Sequence, residues 1–172
     1  MGVIQISGLT LSDAAHVLGL QDHWSQAAAR AGLIICGRWN GMISEHPQTL
    51  EEELRNYAEK ILEQSVKKST RIILETLSTK AVMEEDPLVE AFLEEDGRLN
   101  QLEVQLKSSI PLVAVGGPAN TVYPEVGRKL GTETVIPEFA SVANAVGAAS
   151  GSVKITASCE VTNPESKGFL VH

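Results

Sequence analysis

Apolar positions recur with two periods along the chain, a helical one through the first hundred residues and a shorter one beyond. Residues 9–31 read as a helical hairpin or a broken helix. Ala14, Val17 and Leu18 share one face, Thr10 can cap the start with Asp13 near the exposed N–H groups, and Gly19 interrupts the run. Asp22 is placed to cap a second helix, HWSQAAARA, which Gly32 is expected to end. A short apolar patch, Leu33 to Cys36, then leads into a loop containing Gly37, Asn40, Gly41 and Pro47.

Thr49-Leu50-Glu51-Glu52 has the T-x-x-E spacing of a capping box and opens the longest predicted helix. Leu50, Leu54, Tyr57/Ala58, Ile61/Leu62, Ser65/Val66, Ile73 and Leu77 carry its apolar stripe to about residue 78. Glu51, Glu52, Glu59, Lys60, Glu63, Lys67 and Lys68 cover the other face, the pattern of a solvated surface. Asp86-Pro87 supplies a cap and a first-turn proline for a short acidic helix toward Glu95.

From Asp96-Gly97, which turns the chain, the period shortens. Leu102, Val104 and Leu106 alternate with polar residues as a half-exposed strand. Pro111 to Val115 reads as a central buried strand, Val122 to Leu130 as a helix with Pro124 in its first turn, and Glu133 to Ile136 as a second buried strand stopped by Pro137. Ser141 is expected to cap a helix of small residues, SVANAVGAASG. Val153, Ile155, Ala157, Cys159 and Val161 alternate as a closing strand, and the tail from Asn163 is turn-rich. Strand–helix–strand–helix order after residue 110 predicts an α/β layer with parallel pairing. The chain is expected to form a single domain over 1–172: a mainly helical part (1–108) beside an α/β part (109–162), with a tail at 163–172.

Charge narrows the function classes. The chain has 172 residues, 43% hydrophobic and 21% charged, enough to bury a real core, and its net charge is −8. An acidic chain is a poor match for nucleic acid or an anionic membrane, although backbone N–H groups can still hold an anion. Two distant cysteines, Cys36 and Cys159, read as free thiols in a reducing compartment. No apolar run is long enough for a membrane span, and the first residues lack the pattern of a signal peptide. Met1-Gly2 opens like a myristoylation site, but Ile6 stands where Ser or Thr is required. A cytoplasmic location is the expectation.

Candidate chemistry concentrates at Gly116-Gly117-Pro118-Ala119, which follows the apolar run IPLVAV. Paired glycines let backbone approach a ligand where a Cβ would clash. The turn is neither a dinucleotide fingerprint nor a P-loop, because GxGxxG and GxxxxGK[ST] are both absent. A plain strand-to-helix turn fits the local pattern as well; the whole order, with the Ala/Gly helix behind it, favours one wall of a nucleotide cleft. Asp13 and His16, three apart on one helix face, are candidate metal ligands against the ordinary reading of a cap acid and a polar helix histidine. Asp22 and His23 lie nearby, His46 falls in a loop and His172 is terminal. Glu84-Glu85-Asp86 and Glu94-Glu95-Asp96 read as helix-end charges.

PLVAVGGPANTVYPEVGRKLGTETVIPEFASVANAVGAASG resembles the C-terminal segment of the hydantoinase A/oxoprolinase family, and LTLSDAAHVLG with DHWSQAAARAG resembles that family's LTPTDAxxVLG and its following helix. The similarity covers most of residues 9–157; over 40–108 it rests on helix layout. It implies the C-terminal half of an actin-like, ribonuclease H-like ATPase core, in which two half-domains clamp ATP with Mg²⁺. It places Gly116, Gly117, Pro118 and Ala119 beside the adenosine, with Asn144 in a small-residue helix (Ala143 to Gly147) that packs between the halves. The implied activity is ATP-dependent hydrolysis of cyclic amides such as hydantoins or oxoproline, or a related carboxylation, often with a hydantoinase B-type subunit. Two departures stand out. Leu11 occupies the place of the proline in LTPTDA, and the Asp-x-Gly-x-Thr pattern that would hold phosphate and Mg²⁺ is missing. The chain therefore reads as a C-terminal piece that needs an N-terminal half and has no catalytic residues of its own. A non-catalytic interaction or oligomerisation domain, a homodimer included, is the alternative. A dinucleotide-dependent oxidoreductase is the weakest reading, since the fingerprint is missing.

Overall fold

The computed structural model describes residues 8–78, 86–94, 96–151, 158–159, 161–162 and 170–171. Helix α1 (Leu11–Val17) starts where Thr10 is extended and Asp13 reaches back to it: the Asp13 carboxylate accepts from the Thr10 N–H at 2.8 Å and its hydroxyl at 2.7 Å. Helix α2 (Gln26–Trp39) begins later and ends later than the sequence suggests. Its cap is Ser25, whose Oγ accepts from Ala28 N at 3.2 Å, rather than Asp22. Gly32 does not end it. Glycine in a helix interior costs only about 1 kcal/mol, which burial of Ala29, Leu33 and Gly37 along one face offsets.

Helix α3 (Leu50–Leu77) follows its predicted stripe over 28 residues. The expected capping box does not form; Thr49 makes no side-chain cap bond, and it is Glu53 that reaches out, accepting from Ser44 N at 2.6 Å. That backbone donor, more than the nearby Thr49, Ser44 and His46 side chains, holds the Glu53 carboxyl below its ordinary value. Helix α4 (Pro87–Leu93) is capped as expected, Asp86 accepting from Leu88 N at 2.9 Å with proline in the first turn.

A hairpin joins β1 (Arg98–Leu99) to β2 (Leu102–Glu103), turning at Asn100 with φ 56°. Then come β3 (Leu112–Val113), α5 (Tyr123–Lys129), β4 (Thr134–Val135), a 3-10 turn (Ala140–Val142) and α6 (Ala143–Ser150). Strands β3 and β4 pair in parallel, Leu112 with Thr134 and Val113 with Val135, as the alternation of elements predicts. They are not buried strands, however: Val113, Val115 and Val135 are exposed on the outer side. Ser141 caps nothing, since the 3-10 turn takes the place of the helix's first turn. The predicted closing strand lies mostly outside the described residues; among those described, β5 (Val161–Thr162) pairs antiparallel with β6 (Leu170–Val171).

Two hydrophobic clusters hold the molecule together, and α3 runs through both. Ala14, Leu33, Ile43, Leu54 and Ala58 form the first. Val89, Phe92, Leu93, Val122, Val126 and Leu130 form the second, against Val66, Ile73 and Leu74 of α3. Among the described residues the architecture is mixed α/β, rich in helix, with its strands in short pairs. No described helix is long and apolar enough to cross a membrane.

Candidate functional site

Beyond β3 the ladder to β4 continues through Ala114 N, which donates to Val135 O at 2.9 Å, and then the chain breaks away at Gly116. Gly116 has φ +96°, a backbone conformation that a Cβ disfavours. Its N–H donates to Ala140 O at 2.6 Å, and its carbonyl accepts from Ala119 N at 3.2 Å, so the turn is fixed at both ends. Beneath it, Ala114, Ala119 and Ala140 form a small buried cluster in which larger side chains would lift the turn away. Pro118 is half-buried and its carbonyl takes over the start of the next turn, accepting from Thr121 N and Val122 N at 3.1 Å.

Gly117 has the opposite character. It is exposed, a Cβ built on it would meet nothing within 4 Å, and its N–H finds no partner among the described residues. Its carbonyl accepts from Gln21 Nε2 at 3.4 Å, which ties the loop between α1 and α2 to the turn across 96 residues of sequence. The same amide's Oε1 is buried and unpartnered among the described residues. Three pieces thus converge on the glycine pair: the end of β3, the 3-10 turn and the α1–α2 loop.

The remaining expected site residues are placed differently. Asn144 is exposed on α6, one turn beyond the Ala140 that touches Gly116, and α6 buries none of its residues. Asp13 is occupied with Thr10. His16 is fully enclosed: Trp24 N donates to its Nε2 at 3.1 Å, which leaves Nδ1 to donate to Ser12 O at 2.6 Å. Its ring lies parallel to Trp24 with centroids 6.0 Å apart, and His23 meets both rings edge-on. Both nitrogens are satisfied inside the protein, so this imidazole anchors the loop that carries Gln21. Among the described residues, no three His, Cys, Asp or Glu side chains converge as a metal ligand set.

Gln21 and Trp24 carry no signal in the sequence, because a loop residue's partner depends on where the sheet arrives. A groove of about 650 Å³ between α3, α4 and α5 likewise has no local signature. Lys129 lies on it, donating to the carbonyls of Leu93 at 2.7 Å and Glu94 at 3.0 Å and resting 5.9 Å above the Phe92 ring. Burial pushes its ammonium below the ordinary lysine value, against the pull of Glu94 and Glu125. Its donors are turned to the last carbonyls of α4, which it caps.

Chemically, the glycine turn offers backbone polar atoms, a bare Cα surface and a flanking amide, with no nucleophile or acid–base pair among the residues that shape it. It can seat a flat or polar ligand. In comparisons with known proteins, no family model, no curated protein and no solved structure matches the chain.

Proposed function

We propose that the chain is the nucleotide-side portion of a hydantoinase/oxoprolinase-type, ATP-dependent cyclic amide hydrolase. The observation that carries this reading is the Gly116–Gly117 turn at the carboxyl end of a parallel strand. Ligands of open α/β sheets sit at that end. Here a left-handed glycine re-aims the chain, and the next residue presents an open face and an N–H without a partner among the described residues. The motif GGPANTVYPEVGRKLG and the Ala/Gly segment behind it fit the same family. In this reading an N-terminal half holds the phosphates and Mg²⁺ and carries out the phosphoryl chemistry, which depends on charge placed around the phosphates. Gly116, Gly117, Pro118 and Ala119 form the adenosine-side wall, with Asn144 at its rim, in a cytoplasmic enzyme that works with a hydantoinase B-type subunit.

Titration calorimetry with MgATP, on this chain paired with such an N-terminal half, tests the reading. Nucleotide binding is expected, and Gly117→Val should weaken it at least about tenfold, or ~1.4 kcal/mol. The fold should be untouched, because the new side chain points into open space. A wild-type pair that binds no nucleotide defeats the assignment. The second reading, a non-catalytic interaction domain, draws on one observation: Val113, Val115, Val135, Phe139, Val142 and Val146 are all exposed around the same turn. Under it, Gly117→Val leaves association unchanged and Phe139→Arg abolishes it.

A further inference from the structure

We infer that the outward face of α2 is a self-complementary surface on which a second copy of this chain packs antiparallel. The helix carries few polar side chains: in QAAARAGLIICGRW they are Gln26, Arg30, Cys36's thiol and Arg38, with Arg38 exposed beside the outward row. A helix of that composition belongs between two packing partners. One is present. Ala29, Leu33 and Gly37 are buried against the first cluster, and a Cβ at Gly37 would come within 2.6 Å of Ile43.

The other face is bare. Residues four apart form a continuous ridge on a helix, and here the row Ala27, Ala31, Ile35, Trp39 is exposed throughout, Ile35 by 64% and Trp39 by 88%. The outer side of α3, by contrast, carries Glu51, Glu52, Glu59, Lys60, Glu63 and Lys68, as a solvent-facing helix should.

The ridge tapers from small to large, and the taper selects the occupant. Turned end for end about Ile35, a second copy sets its Trp39 against Ala31 and receives the first copy's Trp39 on its own Ala31. Both residues lie four positions, or about 6 Å along the axis, from the dyad. Ile35 meets Ile35 on the twofold axis, the isologous arrangement of a C2 pair. Ridges of this class interlock at a crossing angle of about 50° with axes roughly 8–10 Å apart, close enough for an indole to fill the space over an alanine. The exposed row offers on the order of 500 Å² per copy, so the pair buries roughly 1,000 Å², the lower bound for a specific interface. An interface of that size belongs with the weak, reversible ones, so association is expected in the micromolar range.

Sedimentation equilibrium of the full chain up to about 100 µM should therefore show a monomer–dimer equilibrium. Ile35→Arg, which sets like charges on the dyad, should weaken it more than tenfold. Ala31→Trp should weaken it as well, because indole then meets indole. The exchanged pair Ala31→Trp with Trp39→Ala should restore it, since large and small positions have only traded places. A greasy surface without register predicts the reverse for Ala31→Trp, namely tighter association. All four residues of the row are exposed, so unchanged far-UV circular dichroism accompanies each result, and Phe139→Arg on the glycine-turn face leaves the dimer intact. A monomeric wild type, tighter association by Ala31→Trp, or a dimer lost only with Phe139→Arg overturns the inference.

Discussion

At the glycine turn, conformation and empty space belong to different residues. Gly116 takes up the left-handed backbone, and Gly117 leaves a side vacant. Elsewhere the same residue type is a packing device. Gly127 on α5 faces β4 so closely that an added Cβ would overlap Thr134 Oγ1 and press on Thr132 O at 3.2 Å. Gly127→Ala should lower stability by about 1–3 kcal/mol, read as a fall in the urea midpoint at constant slope. Gly147→Ala, in exposed α6 with nothing within 4 Å, should raise stability by roughly 0.4–1 kcal/mol. Sequence alone does not separate these four glycines by role, because what distinguishes them is the backbone conformation or neighbour each one meets. His16 shows the same limit. Its spacing from Asp13 suggests a ligand pair, yet the partners it finds are Ser12 O and Trp24 N, one of them reached only through the loop's return.

Elements were legible to the extent that their signals are local. Asp86-Pro87, the apolar stripe of α3 and Pro124 in the first turn of α5 are short-range patterns, and the helices they mark form where expected. Helix α2 departs because its length is decided by what lies against it: Leu33 is fully buried, and the helix continues past Gly32 to keep it so. Its cap gives a direct check. Ser25→Ala should cost about 1 kcal/mol, whereas Asp22→Ala, at the position the sequence favours, should stay within about 0.5 kcal/mol of wild type. Thermal unfolding of the two variants separates them. The strands were legible in kind and pairing but not in burial. IPLVAV reads as an interior run, and yet Val113 and Val115 face outward, since a lone parallel pair has one face uncovered.

At the scale of the molecule, α3 joins the two hydrophobic clusters, Leu54 and Ala58 contributing to the first while Val66, Ile73 and Leu74 pack against the second. Trp24 stacks on the buried His16 of α1, the helix whose Ala14 belongs to the first cluster, so its fluorescence reports on that end and helical dichroism on the whole. In the wild type the two signals should share one denaturant midpoint, the mark of a single cooperative unit. Gln64→Pro, exposed in the middle of α3, costs about 3 kcal/mol locally and should split them, the fluorescence transition persisting to higher urea than the dichroism.

The first cluster has a further property. Every side chain that builds it, from Leu9 to Ile61, lies in one unbroken stretch of sequence. The second draws on residues from Leu11 to Leu130 and cannot close until α5 exists. During synthesis on the ribosome, the first core is therefore complete in sequence before the glycine turn has been made, and the turn is laid down onto a surface already waiting for it.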